Sequence, residues 1–309
     1  LNNTPDREKL VGNYIKYDQS AMLTRRRFLG SLTLGAVGAV AGPALARSRN
    51  ATAPLSWVVY YAADAPFEAF ESFNLLVLDR DYHPPLEPLA DSGKTLFGYI
   101  SLGEMNRERE VYQRLSDWGI LRDENTSWPG SFFIDVRDTR WVALVIEEMV
   151  PAILHRGFHG LFLDTLDNPP ELERRDPVGN KGMTKAAARL VQAIKLHWPD
   201  VPIILNRGYE LLDDVAFHID HVLGESVYAD YDFTDKTYGK VPEDLYRWQV
   251  DTLKRAAAKN PDLSVLTLDY WYPDDRETIA EIYRTQLANG FSPYVATVEL
   301  DRIVPPPSG

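Results

Sequence analysis

Short apolar runs recur along the chain, most of them separated by amphipathic stretches. They are "WVVYYA" from Trp57, "NLLVLD" from Asn74, "TLFGYIS" from Thr95, "GLFLD" from Gly160, "PIILN" from Pro202, "HVLGES" from His221, "VLTLDY" from Val265 and "PYVAT" from Pro293. Each is continuous rather than strictly alternating, as expected of parallel strands covered on both faces. Between several of them the period becomes helical. "TKAAARLVQAIKLHW" (Thr184 to Trp198) gathers Ala187, Leu190, Val191 and Ile194 on one face. "VPEDLYRWQVDTLKRAAAKN" opens with Pro242 and acids and ends at Lys259-Asn260, the charge order the helix dipole favours. "DDRETIAEIYRTQLANG" closes at Asn289-Gly290, a C-cap signal. Eight runs with intervening helices predict an α/β chain folded as a (β/α)8 TIM barrel rather than a doubly wound sheet. One connection is out of proportion. Nearly sixty residues, Leu102 to His159, separate the third run from the fourth. An insertion after strand 3 falls on the rim where barrel enzymes carry their sites, so it is expected to form one wall of a site.

The front end is different in kind. "TRRRFLG" (Thr24 to Gly30) sets Arg25-Arg26 before Phe28-Leu29, and a Gly/Ala-rich apolar run leads to Ala44-Leu45-Ala46. This resembles a twin-arginine signal peptide, with cleavage predicted after Ala46 and the twin-arginine translocation machinery as partner. The run is short, glycine-rich and broken by Pro43, so a permanent membrane span is the weaker reading. Met22 lies just ahead of the arginines, leaving Leu1 or Met22 as the start and residues 1–21 as an upstream extension. The expected division is therefore 1–46 for extension and signal and 47–309 for the barrel, which would work in the periplasm or outside the cell. "GAVGAVAG" within the signal imitates a phosphate loop, but no strand precedes it.

Composition narrows the chemistry. The 309 residues include no cysteine, which removes disulfides, thiolate metal sites and a cysteine nucleophile. A formal net charge of -12 gives no electrostatic support for nucleic-acid binding and suits a cationic partner. Residues 1–46 hold six basic and three acidic groups, so the remainder is more acidic still. His155 and His159 have a ligand-like spacing, yet Gly157 between them weakens the helix such a site needs. His218 and His221 flank the start of a strand and read as packing or surface groups, so no metal site is expected. There is no G-x-S-x-G elbow, and Ser226 lacks evident His-Asp support.

The ends of the runs carry the candidate chemistry. They present Asp79, Glu104, Asp164, Asn206, Glu225 and Asp269, beside Tyr60, Tyr61, Tyr99, Tyr228, Tyr270 and Trp271. Carboxylates among aromatic faces suit sugar chemistry: one acid protonates the glycosidic oxygen, a second stabilises the oxocarbenium-like centre, and rings stack on pyranose faces. Taken singly, a strand-end acid also suits a turn or a helix cap, and "DTLDN" is rich in turn-formers. Glu225 fits that alternative poorly, since it leaves an apolar run straight after Gly224. Asp164 and Glu225 end the fourth and sixth runs, so they are predicted to face one another across the mouth.

The succession "LLVLD", "LFGYISLGE", "FFIDVRD…W", "GFHGLFLDTLDN", "IILNRG", "LGESVY", "VLTLDY" and "NGFSPYVATVELD" resembles the endo-α-1,4-polygalactosaminidases, glycoside hydrolase family 114, and the related hydrolase domain of Pel polysaccharide systems. The resemblance implies hydrolysis of α-1,4-linked galactosamine or N-acetylgalactosamine chains without a cofactor. It places the catalytic pair on Asp164 and Glu225 and the strand-seven "DY" on Asp269-Tyr270. Glu225 is then the general acid and Asp164 the nucleophile or base, with these roles open to exchange. Tyr60, Asp79, Tyr99, Asn206, Tyr228, Asp269 and Tyr270 are the expected substrate contacts. A non-catalytic carbohydrate-binding barrel at the cell envelope and a hydrolase of neutral α-glycans are the alternatives.

Overall fold

The computed structural model describes residues 54–307. The extension, the signal and its cleavage point lie outside the described residues. Eight parallel strands follow one another around a nearly closed barrel: β1 Trp57–Tyr60, β2 Leu75–Leu78, β3 Thr95–Ser101, β4 Gly160–Asp164, β5 Ile203–Asn206, β6 His221–Glu225, β7 Ser264–Tyr270 and β8 Ser292–Ala296. Every neighbouring pair from β1 to β8 is joined by a parallel ladder. The seam between β8 and β1 is held instead by individual bonds. The Trp57 indole N–H donates to the Ser292 carbonyl at 2.8 Å, and the Tyr61 amide donates to the Leu300 carbonyl at 2.7 Å.

Strand geometry sorts the side chains, because residues two apart share a face. Phe97, Tyr99 and Ser101 of β3 pair with Gly160, Phe162 and Asp164 of β4, and all six point into the barrel. Phe97 fills the floor and meets the His221 ring of β6 at 5.9 Å. A Cβ on Gly160 would lie 2.5 Å from that phenyl ring, so the strand needs glycine there. The outer face carries residues such as Gly98, packed under Ile153 and Phe158.

The long helices form where the helical period predicts them: Met183–His197, Glu243–Lys259 and Arg276–Ala288, the last ending on Asn289 with Gly290 at φ +85°. The insertion after β3 is a three-stranded antiparallel sheet, Glu104–Asn106, Ser131–Ile134 and Leu121–Glu124, followed by helix from Thr139 to His155. A π-helical turn, Val145–Met149, interrupts that helix. A second excursion, not foreseen from the apolar pattern, is the hairpin of Ala229–Asp232 with Thr237–Lys240, which leaves the barrel four residues after Glu225. Its short alternating strands carry no continuous apolar run. Both excursions stand on the C-terminal rim of the barrel.

Candidate active site

Three successive strands end on polar side chains that converge. Asn206 at the tip of β5 lies between the ends of β4 and β6, and its side-chain Nδ2 donates to Asp164 Oδ1 at 2.9 Å and to Glu225 Oε2 at 2.8 Å. A planar amide that donates one hydrogen to each places those two oxygens about 5 Å apart. The other Glu225 oxygen accepts from the Tyr270 hydroxyl at the end of β7. The two carboxylates therefore face one another across the mouth, as their strand positions predict.

The backbone uses the same device after each of the three. Thr165, Arg207 and Ser226 all have left-handed conformations, with φ of 66°, 54° and 54°. The chain turns away at once and leaves Asp164, Asn206 and Glu225 standing at the rim. Such a residue costs about 1–3 kcal/mol, most of all when β-branched, and persists only where its surroundings enforce it. At Thr165 the enforcement is visible. Its Oγ1 accepts the Gly103 amide at 2.8 Å and the Leu102 amide at 3.2 Å, and donates to the Asp164 carbonyl at 2.6 Å. A Cβ on Gly103 would come within 2.1 Å of the Thr165 carbonyl oxygen, so only glycine permits this approach of the insertion to β4.

Burial sets the charges. Desolvation pushes Glu225 up to about 7, with the Asp164 carboxylate adding to the effect and Arg207, Asn206 and Tyr270 opposing it. Arg207 also pairs with Asp167, Nε to Oδ2 at 3.4 Å. A third carboxyl joins the site from the insertion. Glu104, 7% exposed, accepts from Asn125 at 2.7 Å and from Asn168 at 3.2 Å, and desolvation likewise raises it to about 7. Asp164 contributes to that rise. The sequence shows Glu104 as a rim acid but not as part of the site, because its partners are distant in the chain: Asn125 follows a strand of the insertion and Asn168 opens the helix after β4. Arg207 was missed as well, although it follows directly on Asn206. Among the described residues no group of three or more His, Asp or Glu is arranged to hold a metal ion.

Of the expected substrate contacts, the structure brings Asn206 and Tyr270 into the pair's first contacts and keeps Tyr99 on the wall, between Tyr61 and Phe162. Asp79 stands at the mouth with both oxygens engaged: Oδ1 by the amides of Asp81 and Tyr82, Oδ2 by Arg109 at 3.0 Å. Three residues turn elsewhere. Asp269 is 0% exposed; it faces the helices, accepting the amides of Tyr228 at 2.6 Å and Ala229 at 3.0 Å and the Gln286 side chain at 2.9 Å. The apolar run continues one residue past it, so alternation delivers Tyr270 to the mouth and Asp269 to the outer face. Tyr60 is 1% exposed, with its ring against Phe70 and its hydroxyl on Asp64. Its neighbour Tyr61 takes the inward position. Tyr228 packs on Tyr246 and bonds Glu281 of the outer helix.

The buried carboxyls make stability depend on pH. Glu104 and Glu225 rise from 4.5 to about 7 and Asp269 from 3.8 to about 6, so between those limits the folded state binds more protons than the unfolded one. Stability then falls as pH rises through that window. Asp135, held down to about 2 by Arg137 and Arg122 against its own desolvation, acts oppositely below 3.8. The melting temperature is expected to be higher at pH 5 than at pH 8. Glu104→Gln should shrink that difference in a calorimetric pH series; an unchanged difference would show that Glu104 titrates normally.

Comparison with known proteins decides the class. The sequence matches the model of glycoside hydrolase family GH114 over residues 41–309. The chain belongs to that family. It is a glycoside hydrolase with the barrel the apolar runs predicted. The glycoside hydrolase domain of PelA from Pseudomonas aeruginosa is 25% identical with a TM-score of 0.71, covering 81% of this chain and 98% of that one. Ega3 of Aspergillus fumigatus, solved in complex with galactosamine, shares the fold at 13% identity and a TM-score of 0.60, over 80% of this hydrolase and 93% of Ega3. An uncharacterized protein of Thermotoga maritima is 22% identical over 177 residues, 51% of this hydrolase and 54% of its own chain. This hydrolase thus spans about half the length of that curated relative.

Proposed function

We propose that this protein hydrolyses a polymer of α-1,4-linked galactosamine or N-acetylgalactosamine with retention of configuration, Asp164 acting as nucleophile and Glu225 as acid and base. The carrying observation is the single Asn206 amide that holds an oxygen of each carboxylate. With ideal amide geometry the two bridged oxygens lie about 5 Å apart, which favours the ~5–5.5 Å of retaining pairs over the ~6.5–9.5 Å that inverting pairs need to admit water. Asp164 attacks the anomeric carbon as the glycosidic bond breaks, and the departing oxygen takes the proton of Glu225. The Glu225 carboxylate then takes a proton from water, whose oxygen displaces Asp164. The Asn206 bonds orient both groups in each half of the cycle. The Tyr270 hydroxyl donates to the Glu225 carboxylate and can turn to accept when Glu225 is protonated.

The sugar is supported by the family, by the galactosamine bound to Ega3 and by the negative charge of this chain, which favours a polymer with free amines. Export by the twin-arginine route, to the periplasm or beyond, belongs to the same reading and rests on Arg25-Arg26 and Ala44-Leu45-Ala46. Purified protein incubated with galactosamine polymer should release new reducing ends, and neutral α-glycans should release none. Binding without product would favour a non-catalytic barrel, and equal cleavage of a neutral α-glycan would remove the amino-sugar assignment.

A general acid at about 7 has a pH signature. The kcat/KM profile is expected to fall on the alkaline side with a midpoint near that value, as Glu225 loses its proton. The Tyr270 bond favours the charged form of Glu225. Tyr270→Phe should therefore move the alkaline limb to higher pH as well as lower the rate. A limb that stays in place or moves down would assign it to another group.

A further inference from the structure

Asp167 and Arg207 stand beside the catalytic pair and take no part in the steps assigned to it. Asp167 precedes the helix Asn168–Arg175 that follows β4, yet its side chain makes no capping bond to that helix. It turns instead to the Arg207 guanidinium, Oδ2 to Nε at 3.4 Å. Helix capping therefore does not account for its orientation. Arg207 is constrained as well. It takes the left-handed turn after Asn206, and its amide donates to the Leu223 carbonyl of β6 at 2.8 Å. That bond holds Arg207 against the end of β6, two residues short of Glu225. Its side chain is 11% exposed, so its charge acts largely through protein rather than bulk water.

Glu225 shares this neighbourhood. Tyr209, in the turn after β5, has its hydroxyl 3.3 Å from where a Cβ on Gly224 would lie. Burial pushes that hydroxyl up, and Arg207, Glu225, Asp269 and Asp167 all act on it. It donates to Gln249 Oε1 at 2.8 Å, and Gln249 donates to the Ser226 carbonyl at 2.9 Å. Around Glu225 stand Asp164 from β4, Arg207 and Tyr209 from β5 and its turn, and Tyr270 from β7. Tyr61 and Asp230 lie beyond, near Tyr270. Desolvation raises Glu225, and the strongest influence in the other direction is Arg207. The reaction asks two things of this carboxyl. It holds a proton until the glycosidic oxygen departs, then serves as a carboxylate toward water. The Asp164 charge helps the first half and is lost once Asp164 bonds the sugar. A fixed cation helps the second half, but unopposed it would also strip the acid of its proton too early.

We propose that the Asp167–Arg207 pair sets how firmly Glu225 holds its proton. Arg207 favours the carboxylate that activates water. Asp167 restrains that cation, so the acid survives until the glycosidic bond breaks. Both are positioning residues that act through Glu225. This rests on the reading of Glu225 as acid and base, and it adds what tunes that residue between its two roles.

The test is the pH profile of kcat/KM on one galactosamine polymer. It compares the wild-type protein with Arg207→Gln, Arg207→Lys, Asp167→Asn and the double variant Asp167→Asn with Arg207→Gln. Arg207→Gln should move the alkaline limb up by about one pH unit, and Arg207→Lys, which keeps the charge, should restore it. Asp167→Asn should move the limb down. In the double variant the limb should sit where Arg207→Gln alone puts it, because Asp167 acts through Arg207. Limbs that coincide in every variant would overturn the pair's role. So would a downward shift by Asp167→Asn that persists without Arg207, or a raised KM with an unmoved limb, which would make Arg207 a substrate contact. Should Arg207→Gln fail to fold, Asp167→Asn decides alone: its side chain is 30% exposed, and an unmoved limb would overturn the pair. Tyr270→Phe separates the two readings. A limb that moves with Tyr270 but not with Arg207 removes the pair and leaves Glu225 as the acid, whereas a limb that moves with neither removes Glu225 as well.

Discussion

Glu225→Gln is expected to lower hydrolysis of galactosamine polymer by about 10³-fold, and Asp164→Asn by at least as much, with little change in melting temperature for either. The two losses have different origins. Glutamine keeps the bond from Asn206 but cannot give a proton to the departing oxygen or later take one from water. With an aryl galactosaminide, whose leaving group needs no proton, the first half of the cycle should survive in Glu225→Gln. Azide, which needs no base, should then restore turnover as an α-glycosyl azide. Asp164→Asn removes the nucleophile, so azide should give no α-azide product. Steady-state kinetics with and without azide read both outcomes. Full activity in either variant would remove that residue from the chemistry.

Asp269→Ala is expected to destabilise the fold strongly. The carboxylate is fully buried and holds two backbone amides of the chain leaving Glu225, together with the Gln286 side chain. Truncation leaves three buried donors without an acceptor, at a cost of about 3 kcal/mol. For a domain of this size that lowers the melting temperature by roughly 10 °C. Asp269→Asn, which keeps an acceptor for the two amides, should recover most of the loss. Below the melting transition Asp269→Ala should keep the wild-type KM, because Asp269 touches no substrate. A raised KM in a fully folded variant would return Asp269 to the mouth. Thermal denaturation followed by circular dichroism, with kinetics at low temperature, separates these results.

Asp269 also shows what the amino-acid order conveys and what it hides. The eight apolar runs locate the strands because parallel strands buried on both faces leave little room for polar residues. That same continuity erases the alternation that tells inside from outside. "VLTLDY" could not say whether Asp269 or Tyr270 reaches the mouth, and "WVVYYA" could not choose between Tyr60 and Tyr61. At β4, β5 and β6 the ambiguity was smaller, since each run stops on its polar residue and the next residue turns left-handed. Asp164, Asn206 and Glu225 were accordingly legible. Glu104 was visible as an acid, but its burial depends on Asn125 and Asn168, which approach only when the insertion folds back over β4. The hairpin after Glu225 lacked any apolar periodicity, so the aromatic and acidic residues on it had no element to belong to.

The central claim is that Asp164 and Glu225 form a retaining pair bridged by Asn206. The most direct measurement follows the first product of galactosamine oligomer cleavage by proton NMR, before mutarotation sets in. The α-anomer should appear first and the β-anomer should grow from it. A β-anomer formed first would contradict the claim, since it requires water to attack where Asp164 is placed.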